Sequence, residues 1–126
     1  MIPKYRAWST DKKIMAEVRT LRFTDELVET DKFVERSIEG VKLMQSTGLK
    51  DKNGKEIFEG DILAVETDDE TLNVNVFWDE EHALFMFESK QYNEKEALAE
   101  LLEDYSYPFE IIGNIYENPE LLEVTK

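Results

Sequence analysis

Residues 41–66 read VKLMQSTGLKDKNGKEIFEGDILAVE, and the turn chemistry of this stretch decides the fold class. Asn53-Gly54 is the strongest short turn signal a sequence offers, because both residues tolerate positive φ. Glu59-Gly60-Asp61 predicts a second tight turn. The apolar runs around them, Val41–Gln45 closed by Thr47-Gly48 and then Ile62–Val65, are too short for helices. They predict strands, and the turns between them predict antiparallel pairing. Gly48, Gly54 and Gly60 are all expected in turns, Gly54 at positive φ.

Toward the C-terminus, a polar tip at 67–70 separates Ile62–Val65 from Leu72–Trp78, where Leu72, Val74, Val76 and Trp78 share a face at period two. Asp79-Glu80-Glu81 turns the chain into Ala83–Phe87, which is apolar on both sides and reads as a central strand. Asn93 with Glu96 three residues on resembles a capping box, predicting an amphipathic helix. Its stripe would be Ala97, Leu98, Leu101, Leu102 and Tyr105, with Glu94, Glu100, Glu103 and Asp104 on the other side. Tyr107-Pro108 ends that helix. Residues 109–116 return as a strand, and Asn118-Pro119 predicts a short terminal helix through Leu122.

Toward the N-terminus, residues 3–8 read as a first strand and 9–12 as a turn. Ile14, Ala16 and Val18 then lie on one face, but Leu21 and Phe23 have the opposite parity. That slip predicts a bulge or bend near Arg19 and Thr20. Residues 24–40 fit either a hairpin or a loose excursion. The resulting expectation is a mainly β (α+β) domain. It would be a small, partly open antiparallel β-barrel or curled sheet with one amphipathic helix and a short C-terminal helix. One domain, 1–126, is expected: N-terminal strands and an excursion in 1–40, a barrel-like core plus helix in 41–126. Trp78, Leu84, Phe85, Leu101, Ile111 and Ile115 are its expected core.

The chain has 126 residues, no cysteine and a net charge of −14. That length suits one core that needs no disulfide or metal to fold. Absent cysteine removes thiol catalysis and thiolate metal sites, and it fits a reducing compartment. Met1–Arg6 carries basic residues with no apolar run after them, and no long apolar span follows, so a signal peptide and a membrane span are not expected. The expected location is the cytoplasm. Residues 1–60 hold twelve Lys/Arg against eleven Asp/Glu, whereas 61–126 hold three against eighteen. Such a field repels phosphate backbones, so direct nucleic-acid binding is not expected.

No catalytic apparatus is legible. His82 is alone, which removes any triad, and no phosphate-cradling or zinc-protease motif occurs. The reactive candidates left are carboxylates. Asp68-Asp69-Glu70 and Asp79-Glu80-Glu81 lie on successive turns, but neither has the spacing of a formed calcium loop. Asp61 follows Gly60 and is expected to bond amides of its own turn. No catalytic residue, cofactor or metal site is therefore assigned. Tyr5, Trp8, Phe58, Trp78, Phe85, Phe87 and Phe109 lack the interleaved arginines of a base-stacking platform and read as core.

The segment TGLKDKNGKEIFEGDIL at 47–63, with Tyr5-Arg6-Ala7-Trp8 before it and IIGNIYENPELLE at 111–123 after it, resembles the YopX family of bacteriophage and prophage proteins. The three stretches occur in order and cover essentially the whole chain. Ser9 stands where the family pattern has Asp directly after Trp8. The resemblance implies a phage or prophage origin, a host bacterial cytoplasm and a β-rich, barrel-like fold. It implies no activity and carries over no functional residue.

The expected function is a non-enzymatic phage or prophage accessory protein acting as a binding or regulatory module. Its partner would be a protein with a basic surface, met by Asp68, Asp69, Glu70, Glu94, Glu100, Glu103 and Asp104; these carboxylates would stand in for phosphates in one version. The alternatives are a homo-oligomeric structural or assembly protein joined by strand edges, and a carboxylate- or metal-dependent enzyme such as a phosphodiesterase. The two acidic tips are expected at opposite ends of the strand between them.

Overall fold

A computed structural model describes the backbone of residues 4–103 and 107–123. The chain divides into two compact units, Met1–Ser46 and Thr47–Lys126. In the first, β1 (Tyr5–Ser9), β2 (Ile14–Arg22), β3 (Leu27–Thr30), β4 (Val34–Glu35) and the first part of β5 (Val41–Lys50) form antiparallel pairs in the order β4-β3-β2-β1-β5. The expected bulge is present: the β2–β3 register shifts between Val18 and Thr20. Residues 24–40 resolve into a hairpin and a 3-10 turn at Ile38–Gly40. The Thr30 hydroxyl shapes the hairpin's bend, accepting from the Lys32 and Phe33 amides and donating to the Phe33 carbonyl. Ala7, Ala16, Val28, Phe33 and Val41 form this unit's core.

β5 does not stop at Thr47-Gly48 as expected. It continues to Lys50 through Gly48, whose φ of 79° falls within the strand. A glycine accepts that conformation without the Cβ clash that would otherwise end the strand.

The second unit holds the rest of β5, β6 (Glu56–Phe58), β7 (Asp61–Glu66), β8 (Thr71–Asp79), β9 (Leu84–Ser89), β10 (Glu94–Ala97), α1 (Ala99–Glu103), β11 (Phe109–Asn114) and a 3-10 turn at Pro119–Leu122. β6 pairs with β5, and the other strands form an antiparallel sheet in the order β10-β9-β8-β7-β11. Ile57, Leu63, Val65, Val74, Val76, Leu98 and Phe109 are the buried core. Gly54 and Gly60 sit in turns at φ of 79° and 84°, as their neighbours predict. No helix among the described residues is long and apolar enough to cross a membrane.

Two expectations are corrected. The strands form two open antiparallel sheets, not a barrel or single curled sheet: a barrel needs its end strands to pair, and β10 and β11 end the second sheet unpaired with each other. The amphipathic helix does not form over the described residues of its stretch. Asn93 has φ of 53°, a left-handed value incompatible with an N-cap, and Glu94–Ala97 pairs with β9. Among the described residues of that stretch only Ala99–Glu103 is helical; Asp104, Tyr105 and the Leu102 side chain lie outside them. The short C-terminal helix is present at Pro119–Leu122, with Pro119 at its first position, as a 3-10 helix without a side-chain bond from Asn118.

The predicted core is also revised. Phe85, Leu101 and Ile111 pack against the buried cluster, but Trp78 is 40% and Leu84 36% exposed. Trp78 does share a face with Val74 and Val76, yet it sits at the strand's end, edge-on to Phe85 at 5.0 Å. Leu84 pairs with Asp79 and so faces the other way.

Candidate functional site

The acidic tip between β7 and β8 is a hydrogen-bonded turn. The Thr67 hydroxyl donates to the Glu70 carbonyl at 2.7 Å and accepts from the Glu70 amide at 3.1 Å, while the Thr67 amide also reaches that carbonyl. β9 returns antiparallel to β8, so the loop Lys90–Asn93 arrives at this same end of the sheet. There the Tyr92 hydroxyl donates to the Glu70 carboxylate, and Gln91 Nε2 donates to its other oxygen at 3.3 Å. The Tyr92 phenol is held above its usual range by that hydrogen bond first, then by desolvation and by the charges of Glu70, Asp69 and Glu94.

β10 extends the site. Glu94 pairs with Ser89 and Glu96 with Phe87, so both glutamates stand on the face of the sheet that carries the core. They line a cavity of about 160 Å³ together with the apolar side chains of Val65, Leu72, Val74, Phe87 and Leu101 and with Ser89 and Tyr92. Of the residues expected to form a partner surface, Asp69, Glu70 and Glu94 come together around Tyr92, and Asp68 adjoins them in the turn. Glu100 is exposed on α1 rather than on a helix face shared with Glu94. The Glu103 side chain and Asp104 lie outside the described residues. Sequence reasoning passed over Tyr92, Gln91 and Glu96 because Asn93–Glu96 resembled a capping box. The alternating charge sign of Glu94-Lys95-Glu96 was the available signal.

The second acidic tip lies at the far end of β8, whose nine residues span roughly 30 Å. His82 Nδ1 meets Asp79 Oδ2 at 2.7 Å, and this bond with the histidine is the main reason the Asp79 carboxyl is held below its usual range. Asp79, Glu81 and His82 offer ligand-type atoms within 4.8 Å of one another, all from one surface turn.

Three polar residues within the stretches that carry the family resemblance bond backbone amides. Asp51 is 7% exposed and accepts from the amides of Asn53, Lys55 and Ile111, closing its own turn and tying it to β11. Burial alone would raise its carboxyl, but these three amides and the nearby Lys55 charge outweigh that and hold it low. Asp61 accepts from the Phe58 amide at 2.8 Å, within its own turn as expected. Asn114 accepts from the amides of Tyr116 and Glu117 and fixes the 114–118 turn.

No curated protein sequence matches the chain significantly. Among solved structures, the protein EF1440 from Enterococcus faecalis is 32% identical with a TM-score of 0.68, over 98% of this chain and 99% of that one. Protein yopX from Bacillus subtilis is 20% identical with a TM-score of 0.56, over 95% and 98% of the two chains, a likeness of fold. The model of the YopX protein family matches residues 4–123, and the chain belongs to the YopX family.

Proposed function

We propose that this chain is a phage or prophage accessory protein of the bacterial cytoplasm, acting without catalysis as a binding or regulatory module for a protein with a basic surface. The observation that carries the reading is the meeting of Glu70, Asp69 and Glu94 around Tyr92 at one end of the second sheet. The backbone of the turn that carries Asp69 and Glu70 is held by its own hydrogen bonds, and Gln91 and Tyr92 hold the Glu70 carboxylate. This part of the surface is therefore arranged before any partner arrives, which lowers the entropic cost of association. Long-range attraction then speeds encounter and makes binding salt-dependent.

Assembly through strand edges has less support in this unit. β10 carries alternating charge on its free edge, a common guard against edge pairing. The outer edge of β11 is already engaged, because the Ile111 amide bonds Asp51 and the Phe109 carbonyl accepts from Lys52.

Tagged protein incubated with bacterial lysate, with and without phage infection, should retain a partner at low salt and release it at high salt. The same partner should be lost when Asp68, Asp69, Glu70 and Glu94 are neutralised together. A partner indifferent to salt and to that variant would overturn the reading.

A further inference from the structure

We propose that the cavity beside Tyr92 receives the side chain of an arginine presented by the partner protein. This rests on the binding reading above and assigns it a chemical specificity.

β10 is an edge strand whose inward positions are inverted. Glu94 and Glu96 occupy the face that elsewhere carries Val65, Leu72, Val74 and Phe87, where a sheet with one packed side normally places apolar residues. Inward charge on an edge strand deters edge pairing, but that device requires no hollow. Here the two carboxylates border one of about 160 Å³. That is well below the roughly 300–1,000 Å³ of sites that enclose whole small molecules, and it suits a single side chain.

The lining selects which one. Apolar side chains favour a hydrocarbon stem, and carboxylates favour a cationic head, the combination found in arginine and lysine. Arginine fits better because its planar fork can bridge two carboxylates and lie against the Tyr92 ring. Lys95 lies between Glu94 and Glu96 in sequence, but it points to the opposite face, 3.9 Å from Glu88 and over the Phe77 ring. Asp69 and Glu70 add negative charge beside Tyr92, itself one of the residues lining the cavity.

The test compares two exposed pairs of equal charge. Hexa-arginine is titrated into the wild type, into Glu94→Gln/Glu96→Gln, and into Asp68→Asn/Asp69→Asn, with amide NMR shifts mapping the contact. The expected result is a loss of about tenfold or more for the Glu94/Glu96 pair and under about threefold for the Asp68/Asp69 pair, as close charge pairs differ from distant ones. Wild-type shifts should centre on Leu72, Val74 and Tyr92. Equal losses for both pairs would overturn the cavity assignment and leave the acidic-end reading standing. Hexa-lysine binding as tightly as hexa-arginine would overturn the choice of arginine. Failure of hexa-arginine to bind the wild type at low salt would overturn both readings.

Discussion

The carboxylate of Asp51 accepts the backbone amide of Ile111 at 3.0 Å, joining positions 60 residues apart. The same carboxylate takes the Asn53 and Lys55 amides at 2.9 Å each. One buried acid thus closes the Asn53-Gly54 turn and anchors β11.

Asp51→Asn should therefore destabilise the protein by about 2–3 kcal/mol, the range for losing hydrogen bonds to a charged, buried acceptor. Urea unfolding at neutral pH measures this. Asp51 also predicts an acid dependence. Its folded-state pKa is depressed, so its contribution is present above the unfolded value near 4 and is lost as pH falls through the folded value. Stability of the wild type should fall faster than that of Asp51→Asn below about pH 4. Parallel curves would mean the carboxylate is not held as described.

A Cβ on Gly113 would lie 2.4 Å from Asn118 Oδ1 and 3.0 Å from Asn118 Cβ. The Asn118 side chain is not free to yield, because its Oδ1 accepts the Asn114 amide at 3.2 Å. Gly113→Ala should cost about 1–3 kcal/mol through this overlap. Adding Asn118→Ala removes the obstructing atoms beyond Cβ, so the double variant should lose less than the sum of the two single losses. Strict additivity in urea would refute the contact.

Backbone strain can be tested in opposite directions at two turns. Gly54 has φ of 79°, and an added Cβ would meet nothing within 4 Å, so Gly54→Ala should cost about 1 kcal/mol through backbone conformation alone. Ala83 has φ of 53°. Ala83→Gly relieves a strain of about 1–2 kcal/mol against an entropic penalty of about 0.4–1 kcal/mol, and should stabilise slightly. Thermal unfolding of both variants checks the pair of signs.

Those two turns show what could be read in advance. Asn53-Gly54 and Gly60 announced their turns because glycine at positive φ has a direct signature. The hairpin loops ending at Lys13, Glu26, Ala83 and Asn93 also close on left-handed residues, and none is glycine. Lys13, Glu26 and Ala83 have no intrinsic preference for that conformation, so the flanking strand pairs hold them in it. In three of these loops the preceding Ser9, Asp79 or Ser89 side chain accepts a loop amide. Asn93 misled most, since asparagine suits a helix N-cap and a left-handed turn alike. The apolar spacing of Ala97, Leu98 and Leu101 was real, but it serves a strand end and one short helix.

Leu98 is the anchor of that short helix. It is 1% exposed in the buried cluster, whereas Leu101 is only partly buried against it. Its amide donates to the Phe85 carbonyl at 3.0 Å, fixing where the chain leaves β10. Leu98→Ala should cost about 2–5 kcal/mol and Leu101→Ala clearly less. The reverse ranking in urea would mean that a longer helix docks through Leu101, as the amphipathic pattern first suggested.

The Tyr92–Glu70 hydrogen bond gives the acidic end its own spectroscopic signal. Tyr92 donates to Glu70, with Asp69 and Glu94 nearby, and each of these disfavours the phenolate. Its ionisation should therefore lie above the ordinary tyrosine value of about 10. A raised folded-state value means that any stabilisation from the bond is present below about pH 10 and is lost as pH rises through the folded value. The difference in phenolate absorbance between the wild type and Tyr92→Phe isolates this residue from the other tyrosines. Glu70→Gln should move its titration down toward the ordinary range, and Asp69→Asn should move it less, because the direct bond outranks the more distant charge. Added salt should shrink the Asp69 effect more than the Glu70 effect, since screening acts on exposed charges at a distance and little on a direct bond. A Tyr92 titration unaffected by Glu70→Gln would remove the contact on which the acidic end is built.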